Sequence, residues 1–231
     1  METTIFSKGI KRIIKRIIKP KFLYFFYPRH KPLSNYYGLD RGQAIDRYYI
    51  EKFLDQNRQA ITGHCLEVLN NDYSLRYGKK ITKSDILDID TNNKAATIYG
   101  DLRQLNNIPD NTFDCIILTQ VLQFIDDGLS AIKNCERILK PGGTLLATLP
   151  SISRIDCVSG AESDYWRFTV ASAKYLFSKI FNNFEISSVG NVKAGLYFWI
   201  GLATEEISKK DLDYDDKNFP CLITVKATKN A

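Results

Sequence analysis

The apolar run DCIILT at residues 114–119 decides the fold class of this chain. A strand that is apolar on both faces is typical of the centre of a parallel sheet, where helices cover both sides. A helical pattern follows at residues 126–139, with apolar side chains recurring on one face. The turn Lys-Pro-Gly-Gly at residues 140–143 ends that helix, and a second apolar run occupies residues 144–149. This stretch therefore predicts a strand–helix–strand unit.

The same alternation continues on both sides of the unit. Further strands are predicted at residues 64–69, 80–85, 96–99, 184–189 and 221–228, and further helices at residues 46–54 and 171–181. Strands that alternate with helices at this pace form βαβ units. We therefore predict a doubly wound, Rossmann-like α/β domain with a mostly parallel sheet, which occupies residues 34–231.

Residues 1–33 are predicted to form a basic amphipathic extension. Its isoleucines recur at the spacing of one helical face, and its cations occupy the other face; the isoleucines are Ile10, Ile13, Ile14, Ile17 and Ile18. Pro20 ends this helical pattern, because proline lacks an amide hydrogen. An aromatic cluster, FLYFFY, follows at residues 22–27.

Two interpretations of this extension stay open. A basic amphipathic helix with aromatic residues is typical of peripheral membrane contact, here through residues 8–27, or of contact with an acidic partner. The alternative is that the isoleucine stripe packs on the domain or on a second copy in a homo-oligomer, and the general tendency of such stripes to be buried favours packing. A secretory signal and a membrane span are both excluded by the charges between the isoleucines.

The overall net charge of +6 is unevenly distributed. Residues 1–31 contain nine lysines and arginines and one glutamate, a net charge of +8, so the other 200 residues carry −2. Nucleic-acid binding by the domain is therefore not indicated. The five cysteines are scattered, which favours a reducing compartment, and we expect the cytoplasm, with the inner face of the membrane as an additional site for the extension. Two histidines assemble no recognisable metal site, so we expect no metal.

Candidate site residues follow the predicted strands, because ligands of such sheets bind at the carboxyl ends of the strands. They are Glu67 to Asn71 after the first strand, Asp85 after the second, Asp101 after the third, and Thr119 to Gln123 after the fourth. A carboxylate after the second strand can accept hydrogen bonds from both ribose hydroxyls. The acid after the third strand can accept from an adenine amine. The ordered set predicts a site for a nucleoside-containing cofactor.

Several motifs in this order resemble the class I S-adenosylmethionine-dependent methyltransferases, of the type 11 kind. They are Cys65-Leu66-Glu67-Val68, Asp85, Gly100-Asp101-Leu102, residues 109–123 (PDNTFDCIILTQVLQ) and residues 137–145 (RILKPGGTL). The resemblance covers roughly residues 60–181. It implies a seven-stranded sheet with an antiparallel last strand, S-adenosylmethionine as cofactor and methyl transfer as activity. The cofactor-binding residues that it implies are Glu67, Leu69, Asn70, Asn71, Asp85, Asp101, Leu102, Thr119 and Gln120.

The chain departs from the family in its first loop. The family places glycines at the positions of Leu69, Asn71 and Tyr73. Asparagine adopts left-handed backbone conformations readily, whereas leucine and tyrosine do so only at a cost in free energy. Either the loop runs wider and Asn70, Asn71 or Asp72 replaces the backbone contacts, or the site binds the cofactor poorly, as in a non-catalytic binding or scaffold relative.

The catalytic candidates are Gln123 and Asp164. Glutamine can orient an acceptor but cannot act as a base near neutral pH. Asp164 is the best carboxylate candidate, and an ion pair with Arg167 is its structural alternative. Residues 41–51 and 164–169 look like a subgroup found among bacterial glycan and secondary-metabolite genes. The resemblance therefore implies a small-molecule or glycan acceptor.

Overall fold

A computed structural model describes residues 2–26, 30–156 and 160–231 of the chain. Seven strands form one sheet: β1 (Gly63–Val68), β2 (Ile81–Asp88), β3 (Ile98–Tyr99), β4 (Phe113–Thr119), β5 (Leu139–Pro150), β6 (Asn183–Val189) and β7 (Leu222–Thr228). The strand order is β3-β2-β1-β4-β5-β7-β6. β1 to β5 pair in parallel, and β7 runs antiparallel to β5. The predicted doubly wound α/β fold and its antiparallel last strand are confirmed.

The described helices are α1 (Glu2–Ile18), α2 (Lys21–Phe26), α3 (Ile45–Gln56), α4 (Asp72–Tyr77), α5 (Gly128–Ile138), α6 (Val170–Phe177), α7 (Val192–Trp199) and α8 (Lys209–Asp213). Helix α5 begins where the side chain of Asp127 accepts a hydrogen bond from the backbone amide of Ser130. Helix α6 begins at a capping box between Thr169 and Ser172. These polar residues fix where the helices start after the strands.

Two strand boundaries differ from the prediction by three residues or more. β2 extends to Asp88, three residues beyond the predicted end at Asp85. β5 starts at Leu139, so the Lys-Pro-Gly-Gly turn lies within the strand as an irregularity in its pairing with β4. Gly142 takes a left-handed backbone conformation there, with φ of +76°, which glycine adopts without strain. The apolar pattern located both strands but did not mark their ends.

The chain divides into two compact units. The first comprises residues 1–49, 152–154 and 189–221, and the second comprises residues 50–151, 155–188 and 222–231. The boundary predicted between residues 33 and 34 lies inside the first unit.

The second unit contains an apolar core between the sheet and the helices α5 and α6. Its members from β4 and β5 include Ile116, Leu118, Leu145 and Ala147, and those from the helices include Ile132, Cys135 and Phe177. All of these side chains are buried from solvent. Their burial supplies the main favourable free energy for packing the helices on the sheet. It also fixes the strand ends from which the site is built.

The first unit contains the N-terminal helix α1. Its isoleucines are exposed, with fractional exposures from 42% for Ile10 to 70% for Ile17. Within the described part of the single chain this stripe is therefore uncovered, and packing on a second copy and contact with a membrane surface both stay predictions. Among the described residues no helix is long and apolar enough to span a membrane.

Tyr27, at the end of the predicted aromatic cluster, and Cys157 lie outside the described residues.

Candidate functional site

The strand order reverses between β1 and β4, at the middle of the sheet. β1 pairs with β2 on one side and with β4 on the other, although β4 comes much later in the chain. The connections that leave these two central strands diverge, which opens a crevice at their carboxyl ends. The predicted residues after β1 and after β4 border this crevice.

Glu67 fixes the loop that follows β1. Its buried carboxylate accepts hydrogen bonds from the backbone amides of Tyr73, at 3.2 Å, and Ser74, at 2.8 Å. These amides belong to the first turn of α4, where backbone donors have no partner within the helix. Burial raises the pKa of Glu67 to about 7, against the opposing effect of the two amides. The predicted cofactor acid thus holds the loop and the helix together.

Leu69 takes the left-handed backbone conformation that glycine favours. Its φ is +73°, whereas Asn71 has φ of −121°. The left-handed conformation therefore falls on Leu69, at a cost in free energy, and not on Asn71. Leu69 is 59% exposed, so its side chain gains little from burial in return for this strain. Asn70 accepts a hydrogen bond from the backbone amide of Asp72, and Asn71 is the residue that precedes α4.

Asn93 joins this loop to the end of β2. Its side-chain amide donates to the backbone carbonyl of Leu69, at 2.8 Å, and to the carboxylate of Asp88, at 2.7 Å. Asp88 is the last residue of β2 and is buried. Sequence reasoning missed both residues, because it ended the strand too early. The acid pair in Asp88-Ile89-Asp90, at the end of the apolar run, was the available signal.

Asp85 lies inside β2 and not after it, which corrects its predicted position. It pairs in register with Leu66 of β1, and its carboxylate lies 2.6 Å from His64 Nε2 and 2.7 Å from Lys83 Nζ. Thr97 donates a further hydrogen bond at 2.9 Å. Burial alone would raise the pKa of Asp85, but these hydrogen bonds outweigh burial and hold the pKa below its usual value. The arrangement is a charge network within the sheet, and it gives His64 a structural partner.

Asp101 follows β3 as predicted, and its carboxylate is held by an arginine. Arg103 donates to it through two guanidinium nitrogens, at 2.9 and 2.6 Å, and also contacts Asp126 at 2.8 Å. The hydrogen bonds from Arg103 keep the pKa of Asp101 below its usual value. Leu102, the next residue, is buried in the core. Arg103 was not anticipated from the sequence.

The residues after β4 leave polar atoms unsatisfied. Thr119 ends the strand, and Gln120 follows with φ of +54°. The backbone amide of Gln120 donates to the backbone carbonyl of Thr148 on β5. Gln123 Nε2 donates to the carbonyl of Gln120 at 2.9 Å. Within the described part of the chain, Gln120 Nε2, Gln123 Oε1 and Thr148 Oγ1 are buried without a hydrogen-bond partner. A buried polar atom without a partner costs free energy, so this place is suited to receive a ligand.

Asp164 is bound in an ion pair. Its carboxylate accepts from Arg167 at 2.6 Å and from the backbone amide of Asp156 at 2.9 Å. The hydrogen bond from Arg167 lowers the pKa of Asp164, which makes this carboxylate a weaker base. The following residues, Tyr165 and Trp166, donate their backbone amides to the carbonyl of Gln123. The structure therefore brings the two catalytic candidates to one segment, with Asp164 holding the backbone beside Gln123.

A family of methyltransferase domains matches residues 57–147 of the chain. A demethylmenaquinone methyltransferase of Staphylococcus saprophyticus is 29% identical over 126 residues, which are 53% of this chain and 51% of the relative. The chain thus spans about half the length of this curated relative.

Solved structures share the architecture. A SAM-dependent methyltransferase from Archaeoglobus fulgidus superposes with a TM-score of 0.54 at 13% identity, covering 79% of this chain and 94% of the other. The N-methyltransferase NodS from Bradyrhizobium japonicum, solved with S-adenosyl-L-homocysteine, gives a TM-score of 0.53 at 12% identity, covering 82% and 89%. At such identities the likeness bears on the fold alone.

Proposed function

We propose that the chain transfers a methyl group from S-adenosylmethionine to a small-molecule acceptor, because a family of methyltransferase domains matches residues 57–147 and a solved SAM-dependent methyltransferase shares the fold. The observation that carries this proposal is the set of buried polar atoms near the ends of β4 and β5 that have no hydrogen-bond partner among the described residues. Gln120 Nε2 is an unfilled donor, and Gln123 Oε1 is an unfilled acceptor. A ligand with both donors and acceptors would satisfy them.

The described residues fit the cofactor in their chemistry. Glu67 holds the loop after β1 in place through two backbone amides, and the backbone of Leu69 has the conformation of the family's glycine. A polar ligand beside Gln120 and Gln123 would remove the free-energy cost of their buried unpaired atoms. Leu69 therefore adds a side chain to this loop while its backbone keeps the conformation expected of glycine.

We assign the ribose-binding role to Asp88 in place of Asp85. Asp88 ends β2, where a carboxylate can reach vicinal hydroxyls, and each of its oxygens retains a free lone pair beside the bonds to Asp90 and Asn93. Asp101 and Leu102 remain the candidates for the adenine end. Asn70 and Asn71 remain candidates for the polar contacts of the loop. Thr119 and Gln120 would then contact the methionine portion.

When bound, S-adenosylmethionine would supply a methyl group on a positively charged sulfur, with S-adenosylhomocysteine as the leaving group of an in-line displacement. Such a displacement depends mainly on alignment of the acceptor and exclusion of water. Gln123 would orient the acceptor through Oε1, and Asp164 would position the segment beside it. Since Asp164 is engaged by Arg167 and a glutamine cannot take a proton, the site suits acceptors that need little base catalysis, such as an amine, a phenol or an enol. A glycan hydroxyl fits less well, because its deprotonation needs a base.

Calorimetric titration of the full chain tests this proposal. We expect S-adenosylmethionine and S-adenosylhomocysteine to bind and a nicotinamide dinucleotide not to bind. Absence of binding at millimolar cofactor would refute the proposal and leave a non-catalytic relative. Incubation with methyl-labelled cofactor and a panel of phenols, amines and sugars then tests the acceptor class. Transfer to sugars alone would overturn the preference for acceptors that need little base catalysis.

A further inference from the structure

Helix α1 presents its apolar side to solvent. Ile10, Ile13 and Ile14 are 42%, 52% and 44% exposed, and Ile17 and Ile18 are 70% and 68% exposed. All of residues 8–18 are exposed except Arg16, a cation, which is partly buried. An amphipathic helix on a folded body normally buries its apolar stripe. In residues 8–18 of this helix, the isoleucine face is uncovered.

The helix is attached to the first unit through its backbone and its charges. Arg41, which is fully buried, donates to the backbone carbonyls of Lys15, at 3.3 Å, and Lys19, at 3.0 Å. Glu206 pairs with the same guanidinium at 2.5 and 2.8 Å. Lys15 also contacts Asp40 at 2.8 Å. The last carbonyls of a helix have no partner within it, so Arg41 caps α1 and fixes its C-terminal end.

The charges on α1 identify the kind of surface that fits it. Lys8, Lys11, Arg12 and Lys19 are exposed around the isoleucine stripe. Two copies of the chain that met through this stripe would bring two strongly basic segments together, which opposes association. An anionic bilayer offers both an apolar interior for the isoleucines and negative phosphates for the cations. Charge complementarity therefore favours a membrane over a second copy.

Exposed aromatic side chains extend the surface within the first unit. Phe22 and Phe25 of α2 are 55% and 49% exposed, and the ring of Phe25 lies 5.6 Å from that of Tyr197 on α7. Trp199, at the end of α7, is 55% exposed. Aromatic rings of this kind concentrate at the boundary between lipid and water. Helix α2 thus continues the apolar surface of α1 toward α7.

We propose that α1 lies in the headgroup region of an anionic phospholipid bilayer, with its isoleucines in the acyl boundary and its cations at the phosphates. Arg41 and Glu206 hold the helix so that this face stays outward without lipid. In this arrangement α1 lies along the surface of the bilayer. The enzyme would then work beside a membrane, whichever acceptor it methylates.

Co-sedimentation of the full chain with vesicles tests this proposal. The vesicles are phosphatidylcholine alone and phosphatidylcholine with about 30% phosphatidylglycerol, a content that gives a negative surface potential. We expect binding to the anionic vesicles at least tenfold tighter than to the neutral ones, and weaker binding as salt rises. The double variant Ile13→Glu with Ile17→Glu should lose at least tenfold in affinity.

A matched control changes charge and apolar surface elsewhere. Tyr175→Glu with Phe219→Glu replaces two exposed aromatic residues outside α1 and should bind vesicles within a factor of about three of the unchanged chain, as expected when only the overall charge differs. Circular dichroism of each variant checks that the fold is retained. The variant Lys8→Gln with Lys11→Gln and Arg12→Gln should lose the preference for anionic vesicles.

Three results would overturn the proposal. The first is no binding to either vesicle, and the second is equal loss of binding in the control. The third is a dimer, seen by sedimentation velocity, that Ile13→Glu with Ile17→Glu converts to a monomer without any vesicle binding. That result would assign the stripe to a second copy. None of these results depends on cofactor binding, so the membrane contact and the proposed methyl transfer fail separately.

Discussion

Glu67 and Ser74 are joined by a 2.8 Å hydrogen bond from the backbone amide of Ser74 to the carboxylate of Glu67. The bond spans the turn from β1 into α4, and its acceptor is buried. A charged carboxylate at this position is favoured by the amides and opposed by burial, and burial has the larger effect. The residue that shapes the loop is therefore also sensitive to pH near neutrality.

We predict that the stability of the chain falls between about pH 5 and pH 7 because of Glu67. Its pKa in the fold is about 7 and its usual value is 4.5, so the folded chain holds this proton more tightly than the unfolded chain. The free energy of unfolding then decreases with rising pH, by up to about 3 kcal/mol for this group. Urea unfolding across this range measures the slope. Glu67→Gln should flatten it, and an unchanged slope would contradict the prediction.

The pH dependence of stability that Glu67 contributes can be distinguished from that of three other carboxylates. Asp85, Asp101 and Asp164 have pKa values below the usual 3.8, so they contribute stability at neutral pH that is lost as pH falls through their pKa values. Their effect has the opposite sign and lies below the range used for Glu67. The difference between the two chains at each pH isolates Glu67.

Leu69→Gly should stabilise the chain. A left-handed conformation costs a side-chain-bearing residue about 1–2 kcal/mol, and glycine loses about 0.5–1 kcal/mol through flexibility of the unfolded chain. We therefore expect the free energy of unfolding to rise by about 0.5–1 kcal/mol. Leu69→Ala is the control, because it removes the exposed side chain and keeps the strain. Equal effects of glycine and alanine in denaturant titrations would count against backbone strain at this position.

Asp88→Ala should weaken binding of S-adenosylhomocysteine at least tenfold, since each lost hydrogen bond to a charged group is worth about 1.5–3 kcal/mol. Asp85→Ala should mainly lower stability, because it leaves Lys83 and His64 without their buried partner. Calorimetry and thermal unfolding of both variants provide the comparison. If Asp85→Ala lost the affinity and Asp88→Ala kept it, the ribose assignment would return to Asp85.

Thr148→Val should leave the free protein as stable as before or raise its free energy of unfolding by up to about 1 kcal/mol, because the buried hydroxyl has no described partner. Ligand binding should weaken if that hydroxyl contacts the ligand. Thr224→Val is the matched control in the neighbouring strand, where the hydroxyl donates to the carbonyl of Ser187 and its removal should destabilise. Destabilisation by Thr148→Val as large as that of the control would show that Thr148 already has a partner.

The fold could be predicted from the sequence because its signals are local. The run at residues 114–119 and the punctuation after residue 139 specify a strand–helix–strand unit, and β4, α5 and β5 lie there. The end of β2 could not be predicted in the same way. Asp85 lies mid-strand because Lys83 of the same strand, His64 of β1 and Thr97 before β3 satisfy its charge. His64 and Thr97 are distant in sequence and leave no local pattern.

The positions of several candidate site residues could also be predicted, because the ends of strands leave a local signal in the sequence. Position at a strand end predicted the places of Glu67, Asp101 and Gln123: Glu67 is the next-to-last residue of β1, and the other two follow β3 and β4. Their roles stay predictions. The direction of α1 could not be predicted, because an apolar stripe indicates an amphipathic helix and not which way it faces. The capping of its last turn by Arg41, which decides that direction, joins residues 22 and 26 positions apart.

The hydrogen bonds of Asn93 limit which substitutions the loop after β1 can tolerate. Its amide holds the carbonyl of Leu69, 24 residues away, together with the end of β2. We expect a chain with a side chain at position 69 to depend more on this bond than a chain with glycine there, because the bond helps to hold the strained backbone. Positions 69 and 93 should therefore covary among relatives, with asparagine at 93 dispensable where glycine occupies 69. A motif can in this way lose its most characteristic residue and keep its shape through a distant side chain.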